Sequence, residues 1–338
     1  TGDDVVQIDG RFLAFRSDQG FYGVEPEEGE SVPGSEGGGG EVEPDRARQE
    51  DEPVGEGEGT GTDEPRNARV YLLDLGDPDA PEAFLTVEIP EQTALFGLHA
   101  TDHLLYFTTA QWVDTDTQGR PLVRYFLNRL DLSDPQRPAL MTPVNIPGHA
   151  ISISRDGRTL YTLDYRWTGT GYETLNSLNA LHLEEERAVL LGFLDFENPV
   201  GHVEVAGGYA YLSTTSGYAC EGEVAVGAEP AEAVARQDEE CQPRLYLHTV
   251  ALGDPEHLEE TSRLTISGWG SLLAVEQGRL FVSLGWDGGL LVYDASTTPA
   301  TPTFRDFFRT QGWVTHIVVH EGHAYLPSGL YGVQILDL

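Results

Sequence analysis

Two stretches near the C-terminus repeat one arrangement of short apolar runs. The first holds Ser271-Leu272-Leu273-Ala274-Val275, Arg279-Leu280-Phe281-Val282 and Leu290-Leu291-Val292-Tyr293-Asp294. The second holds Thr315-His316-Ile317-Val318-Val319, Ala324-Tyr325-Leu326 and Gly332 to Leu338, with Phe304 to Phe308 lying between the two. Val275 and Val319 occupy matching places 44 residues apart. Runs rich in β-branched and aromatic residues, cut by Gly or Asp-Pro turns, form antiparallel strands. A unit of that length with four such strands cannot bury both faces alone, so units must stack; this is the pattern of a β-propeller blade.

The same opening recurs upstream, at 4–8, 96–100, 149–153 and 202–205, which with 271–275 and 315–319 makes six inner strands. The expected fold is therefore all-β, a single domain over 1–338, a six-bladed propeller of four-stranded antiparallel blades. The sixth unit stops at its third strand, so it is expected to lack its outer strand, with residues upstream of Thr1 in a parent protein filling the edge. The turn Asp74-Leu75-Gly76-Asp77-Pro78 returns as Asp131-Leu132-Ser133-Asp134-Pro135, and Gly253-Asp254-Pro255 is related. Such Asp residues accept backbone N–H groups of the reversal while Pro fixes φ. They are assigned to geometry, not to chemistry.

Asp3-Asp4-Val5-Val6-Gln7-Ile8-Asp9-Gly10-Arg11-Phe12, followed by Val70-Tyr71-Leu72-Leu73-Asp74-Leu75-Gly76-Asp77-Pro78, resembles a secreted bacterial β-propeller domain family distantly related to WD repeats. Gly289-Leu290-Leu291-Val292-Tyr293-Asp294 is also similar to bacterial surface-protein propeller repeats. The resemblance implies a propeller in an exported protein and carries over no catalytic residue. The long acidic insert and the early stop at Leu338 depart from a complete member.

Charge narrows the partners. With 56 acidic residues against 20 basic ones, the formal net charge is −36. That field repels nucleic acid and anionic membranes and favours basic partners or divalent cations. No run is long enough for a transmembrane helix, so no membrane insertion by this chain is expected. Residues 1–20 lack a secretory signal, which is expected upstream if the protein is secreted, periplasmic or cell-surface. Residues 25–66 form an acidic Gly/Glu/Pro-rich insertion within blade one. They carry too little apolar surface to offset ordering entropy and are expected to be disordered. A second insertion, 220–241 in blade four, is bracketed by Cys220 and Cys241. A disulfide closing that loop would stabilise by roughly 3 kcal/mol on the chain-entropy estimate, and it suits an oxidising compartment.

No Ser-His-Asp, Cys-His or HExxH arrangement can be assembled from local spacing. Aligning Val205 on Val319 places His202 on His316 at the start of the inner strand, with His149 one position off. Inner strands line the channel, so these imidazoles, with Glu204, form a candidate metal site at its mouth. The competing reading is histidines satisfied at blade junctions. Asp114 and Asp116 resemble the start of a calcium loop, but Tyr125 stands where the bidentate Glu belongs. Trp167, Trp269 and Trp313 are candidate ligand-face aromatics, set against inter-blade packing. No cofactor is required, with a divalent cation left open. The expected function is a non-enzymatic exported scaffold binding a protein or glycan through loops on one face. The alternative is a metal-dependent hydrolase or lyase at the channel mouth.

Overall fold

The computed structural model describes residues 5–17, 68–77, 79, 81–89, 93–134, 136–168, 173–216, 243–285 and 288–338. The 25–66 and 220–241 insertions, Cys220 and Cys241 lie outside them. Almost every described element is a strand, and the strands form six small antiparallel sheets. Blade one is β1 (Val5–Ile8), β2 (Phe12–Ser17), β3 (Arg69–Asp74) and β4 (Glu82–Glu88). Blade two is β5 (Thr93–Thr101), β6 (Leu104–Thr115), β7 (Pro121–Asp131) and an outer strand split into β8 (Ala139–Leu140) and β9 (Val144–Ile146), both on β7. The break falls at Thr142-Pro143, where Pro has no N–H for the ladder. Blade three is β10 (His149–Ile153), β11 (Thr159–Thr168), β12 (Glu173–Leu183) and β13 (Ala188–Phe196). Blade four is β14 (Val200–Ala206), β15 (Tyr209–Ser216), β16 (Arg244–Ala251) and β17 (Glu259–Ser267). Blade five is β18 (Ser271–Glu276), β19 (Arg279–Leu284), β20 (Gly289–Asp294) and β21 (Thr303–Arg309). Blade six holds β22 (Val318–His320), β23 (His323–Pro327) and β24 (Val333–Asp337), a three-stranded sheet.

The architecture is thus the six-bladed propeller expected from the repeat, and the last blade has three strands among the described residues. One inner strand differs from its expected place. Residues 315–317 are not strand, and β22 begins at Val318. Val314 and Ile317 are buried against blade five while Thr315 and His316 are exposed, so packing and not ladder pairing holds this segment.

Blades join face to face through apolar clusters. Ile8, Phe12 and Leu72 of blade one meet Leu98, Leu105 and Phe107 of blade two. Like clusters join two to three, three to four, four to five and five to six. Burying each such Leu or Phe side chain is worth about 1.5–3 kcal/mol, and this is why central strands are apolar on both faces. Among the described residues no cluster joins blade six to blade one, and Val318, Val333 and Ile335 stay exposed. At Gly148, φ is +70° and an added Cβ would fall 2.1 Å from the Leu163 carbonyl oxygen. Glycine lets β10 begin directly against β11.

The Asp turns are built as expected. Asp74, Asp131 and Asp294 accept the backbone N–H two residues on at 2.8–2.9 Å, from Gly76, Ser133 and Ser296. Asp77, Asp134 and Asp254 do the same for Asp79, Gln136 and Glu256.

Candidate functional site

Within each blade the chain reverses at alternate ends of the sheet. Turns from first to second and from third to fourth strand lie at one end, and the second-to-third connection lies at the other. Connectors between blades, such as 197–199 and 268–270, are too short to run back along a strand of five or more residues. They therefore share the end of the second-to-third connections. One face carries the Asp turns, and the opposite end, the loop face, carries the second-to-third connections, 116–120 and 328–332 among those fully described.

Two hairpins overhang that loop face. The inner strand of blade two last pairs at Gln111, and β6 continues to Thr115. The inner strand of blade three last pairs at Leu163, and β11 continues to Thr168. Four or five further residues project each hairpin by about 15 Å. The hairpins meet where the Arg120 guanidinium lies 5.7 Å from the Trp167 ring, and Trp167 stands edge-on to Tyr165. Arg120 is fixed from beneath by Asp116, which accepts its Nε–H at 2.6 Å. Trp112, on β6 before the turn, is half-exposed, and Trp269 and Trp313 sit in inter-blade connectors at the same end. Trp313 is 51 % exposed and Trp269 40 %.

At the foot of the blade-three hairpin lies a cavity of about 190 Å³. Asp195 and Phe196 at the end of β13, with Glu197 and Asn198 of the connector, line it together with Thr214, His248 and Arg263 of blade four. His248 is buried, and Glu260 Oε1 accepts its Nδ1 proton at 3.0 Å. Nε2 is then left to accept the Thr214 hydroxyl at 2.9 Å. Arg263 donates to both Glu260 oxygens, at 2.9 and 3.1 Å. Burial holds the His248 pKa below its ordinary value, against the pull of Glu260, so the ring is neutral at pH 7. Asp195 accepts from Ser177 and, at 2.7 Å, from Arg166 of the overhanging hairpin. Asn176 pairs across the ladder with Phe196 and shares its face; it is 8 % exposed, and its Nδ2 has no partner among the described residues. A buried donor left without a partner costs about 1–3 kcal/mol.

A carboxylate, imidazole and hydroxyl in line form a proton relay. Thr214, however, sits within the ladder, paired with Val200 and Tyr246, so its own backbone is committed to the sheet. The arrangement orders a polar wall and presents hydrogen-bonding groups to the cavity. Local spacing concealed it, because Thr214 and His248 are 34 residues apart. The available signal was a lone His in the otherwise apolar strand Leu245-Tyr246-Leu247-His248.

The expected channel residues are placed separately. His202 donates to Glu204 at 2.9 Å within β14. His149 opens β10 and stacks on Phe96 at 5.0 Å, and burial lowers its pKa to about 3. His316 lies in the connector before β22, exposed, and not on an inner strand as expected. His99, which the alignment did not single out, donates to the Ala150 carbonyl at 3.2 Å, with its pKa lowered by burial to about 4. Among the described residues no group of three His, Cys, Asp or Glu is placed to hold a metal ion. Asp116 is occupied by its own turn, accepting the N–H groups of Gln118 and Arg120 besides the Arg120 side chain. Asp114 accepts the N–H of Thr115.

No protein-family model matches the chain, and no curated protein does so. Solved structures are similar to it at low identity and low TM-score. A hypothetical selenium-binding protein from Sulfolobus tokodaii is 11 % identical with a TM-score of 0.46, covering 78 % of this chain and 66 % of its own. Sqt1 from Saccharomyces cerevisiae is 10 % identical at 0.40, over 80 % and 77 % of the two chains. The periplasmic gluconolactonase of Pseudomonas aeruginosa is 13 % identical at 0.35, over 82 % and 94 %. Likeness at this level carries none of those proteins' site residues onto this chain.

Proposed function

We propose that this chain is a non-enzymatic, exported binding module that takes a protein or glycan partner on its loop face. One observation carries the reading: two overhanging hairpins and half-exposed tryptophans are gathered at one end of the strands, while the other end holds turns closed by their own Asp residues. Rigid scaffolds with variable loops on one side are where recognition resides, and exposed Trp beside Arg is the composition of binding hot spots. The acidic surface selects basic proteins or neutral glycans over anionic partners.

The test is a glycan array alongside a panel of basic proteins, followed by Trp167→Ala, Arg120→Ala and Trp269→Ala. Each substitution is expected to weaken the partner by tenfold or more, with the circular dichroism spectrum and melting unchanged. A second reading, a metal-dependent hydrolase or lyase at the channel mouth, draws on the His202–Glu204 contact. Turnover by metal-replete protein that disappears in both His202→Ala and His316→Ala would replace the binding-module reading with it.

A further inference from the structure

We propose that the outer edge of β24 is a strand-acceptor site, which takes an extended, basic strand of a partner protein as the fourth strand of blade six. This surface is a sheet edge and not the loop face, so it stands or falls apart from the reading above. In every other blade the third strand carries a further antiparallel strand on its outer side. β24 carries none among the described residues, so one side of its backbone meets no ladder. Two bonds fix which groups lie on that side. Leu338 donates its N–H to the Gly322 carbonyl, and the Gly332 carbonyl accepts from Ser328, so the even-numbered residues face β23. Backbone groups alternate sides along a strand, which turns those of Val333, Ile335 and Asp337 outward.

The edge is built like an interior strand. Where outer strands join blades one, three, four and five, the register shifts after Leu72, Ala180, Thr249 and Val292. In blade two the outer strand is split into two pieces. Bulges and breaks of this kind blunt a terminal edge. The β23–β24 ladder runs from His323 opposite Asp337 to Pro327 opposite Val333 with no shift. The second-to-third ladders of blades one, three, four and five are regular in the same way. Val333 to Asp337 also holds no Lys or Pro, and Val333 and Ile335 are exposed. An unguarded edge is a template for pairing. A second sign that blade six is incomplete lies on its inner side. Thr108 and Ser213, each the fifth residue of a second strand, accept the N–H of Ala150 and Leu272 on the next blade's inner strand, at 3.0 and 3.1 Å. Ser283 is the fifth residue of β19, and its buried hydroxyl has no partner among the described residues. The inner strand of blade six, which would supply the donor, is unformed over 315–317. A fourth strand that completes the blade would draw this segment into the ladder.

Charge chooses the occupant. The formal net charge is −36, so a second copy of the chain is repelled while a strand bearing Lys or Arg is attracted. Apolar side chains at alternate positions of that strand would lie beside Val333 and Ile335.

The experiment adds to the full chain a short, end-blocked peptide of alternating Lys and Val. The controls are the same peptide with Pro in place of its central Val, which keeps the charge, and a peptide of alternating Glu and Val. Fluorescence anisotropy and hydrogen exchange at single amides are the readouts. The Lys-Val peptide is expected to bind and to slow exchange at Val333, Ile335 and Asp337, and within 315–317, by tenfold or more. The central Pro should weaken binding by tenfold or more, because it interrupts the ladder. Ile335→Pro removes one outward N–H and no bond to β23, so it should weaken binding as much while Leu336 and Leu338 stay protected. Val333→Lys, a charged guard at an exposed position, should weaken it too with the melting temperature unchanged. No protection of β24 by the Lys-Val peptide, or equal binding of the Pro-containing one, would overturn the site and leave only attraction to an acidic surface. Slow exchange at the outward amides of the free monomer would show the edge covered by the chain itself. A dimer in sedimentation that Val333→Lys dissociates would assign the edge to a second copy. Either result would overturn the partner strand, and preference for the Glu-Val peptide would overturn its basic character.

Discussion

In blade two, Asn128 on β7 donates to the Thr109 hydroxyl on β6 at 2.9 Å; in blade four, His248 on β16 accepts from Thr214 on β15 at the same separation. The positions correspond. Asn128 pairs with Phe107, two residues before Thr109, and His248 pairs with Leu212, two residues before Thr214. Blade three has a related bond, from Asn179 to Thr162 at 3.3 Å. A polar link between second and third strands is therefore a blade device, needed where side chains meet inside the sheet stack away from water. What differs is the chemistry. The Asn128 amide also donates to the carbonyls of Phe107 and Phe126 and is confined to its own sheet. The imidazole has a second ring nitrogen, which recruits Glu260 and through it Arg263. One side-chain change turns a closed structural bond into a charged wall beside a cavity. The comparison teaches that a repeat can carry a charged polar network at one blade while keeping the same strand pairing in the others.

The largest effect that separates the two chemistries is acid. An amide does not titrate, whereas His99, His149 and His248 are all held neutral by burial. Each has its folded pKa below the unfolded 6.5, so the unfolded chain takes up more protons as pH falls. Stability is thus complete above about pH 6.5 and is lost as pH falls toward 4 for His99 and 3 for His149. Lowering a pKa by one on folding corresponds to about 1.4 kcal/mol, so several kcal/mol should vanish between about pH 6.5 and 4. Urea melts at high salt, which screens the acidic surface, measure it. A flat midpoint across that range would mean that the imidazoles are already accessible to protons in the folded state.

Cutting each device gives a smaller loss. Asn128→Ala removes the bond to Thr109 inside the sheet stack, and Glu260→Ala leaves His248 Nδ1 without its acceptor. Both should cost about 1–3 kcal/mol in denaturant melts, the usual penalty of an unsatisfied buried group. Only the second should also shift the His248 titration, downward, because Glu260 favours the charged ring. Equal titration in both variants would show that the Glu260 contact is absent in solution.

The smallest effect is expected from His248→Asn, which rewrites blade four as blade two. The amide can still bond Thr214, so stability should change by about 1 kcal/mol or less, while the acid sensitivity falls by the share that His248 contributes. A loss near that of Glu260→Ala would show that the amide cannot replace the ring.

Much of this was present in the chain before any contact was known. Short alternating runs, the 44-residue offset and the Asp-Pro turns are local signals, and they yielded six blades, most inner strands and the bonds made by Asp74, Asp131 and Asp254. The failures are equally physical. Residues 315–317 look like a strand because they alternate with apolar neighbours, but Val314 and Ile317 are held by blade five. The acidic pair Asp114 and Asp116 suggested a cation, and no sequence pattern shows that Arg120 folds back four residues onto Asp116.

What the sequence determined by itself follows from periodicity: the side-chain period of two and the turn residues dictate strands, their order and their faces within each sheet. Only the tertiary structure decided which polar groups meet. Thr214, His248 and Glu260 come together across three strands, Arg120 reaches Trp167 from another blade, and the Arg166–Asp195 pair sets the lip of the cavity. Those contacts depend on how far each hairpin overhangs and how blades stack, and both are properties of packed surfaces that no local window of sequence contains.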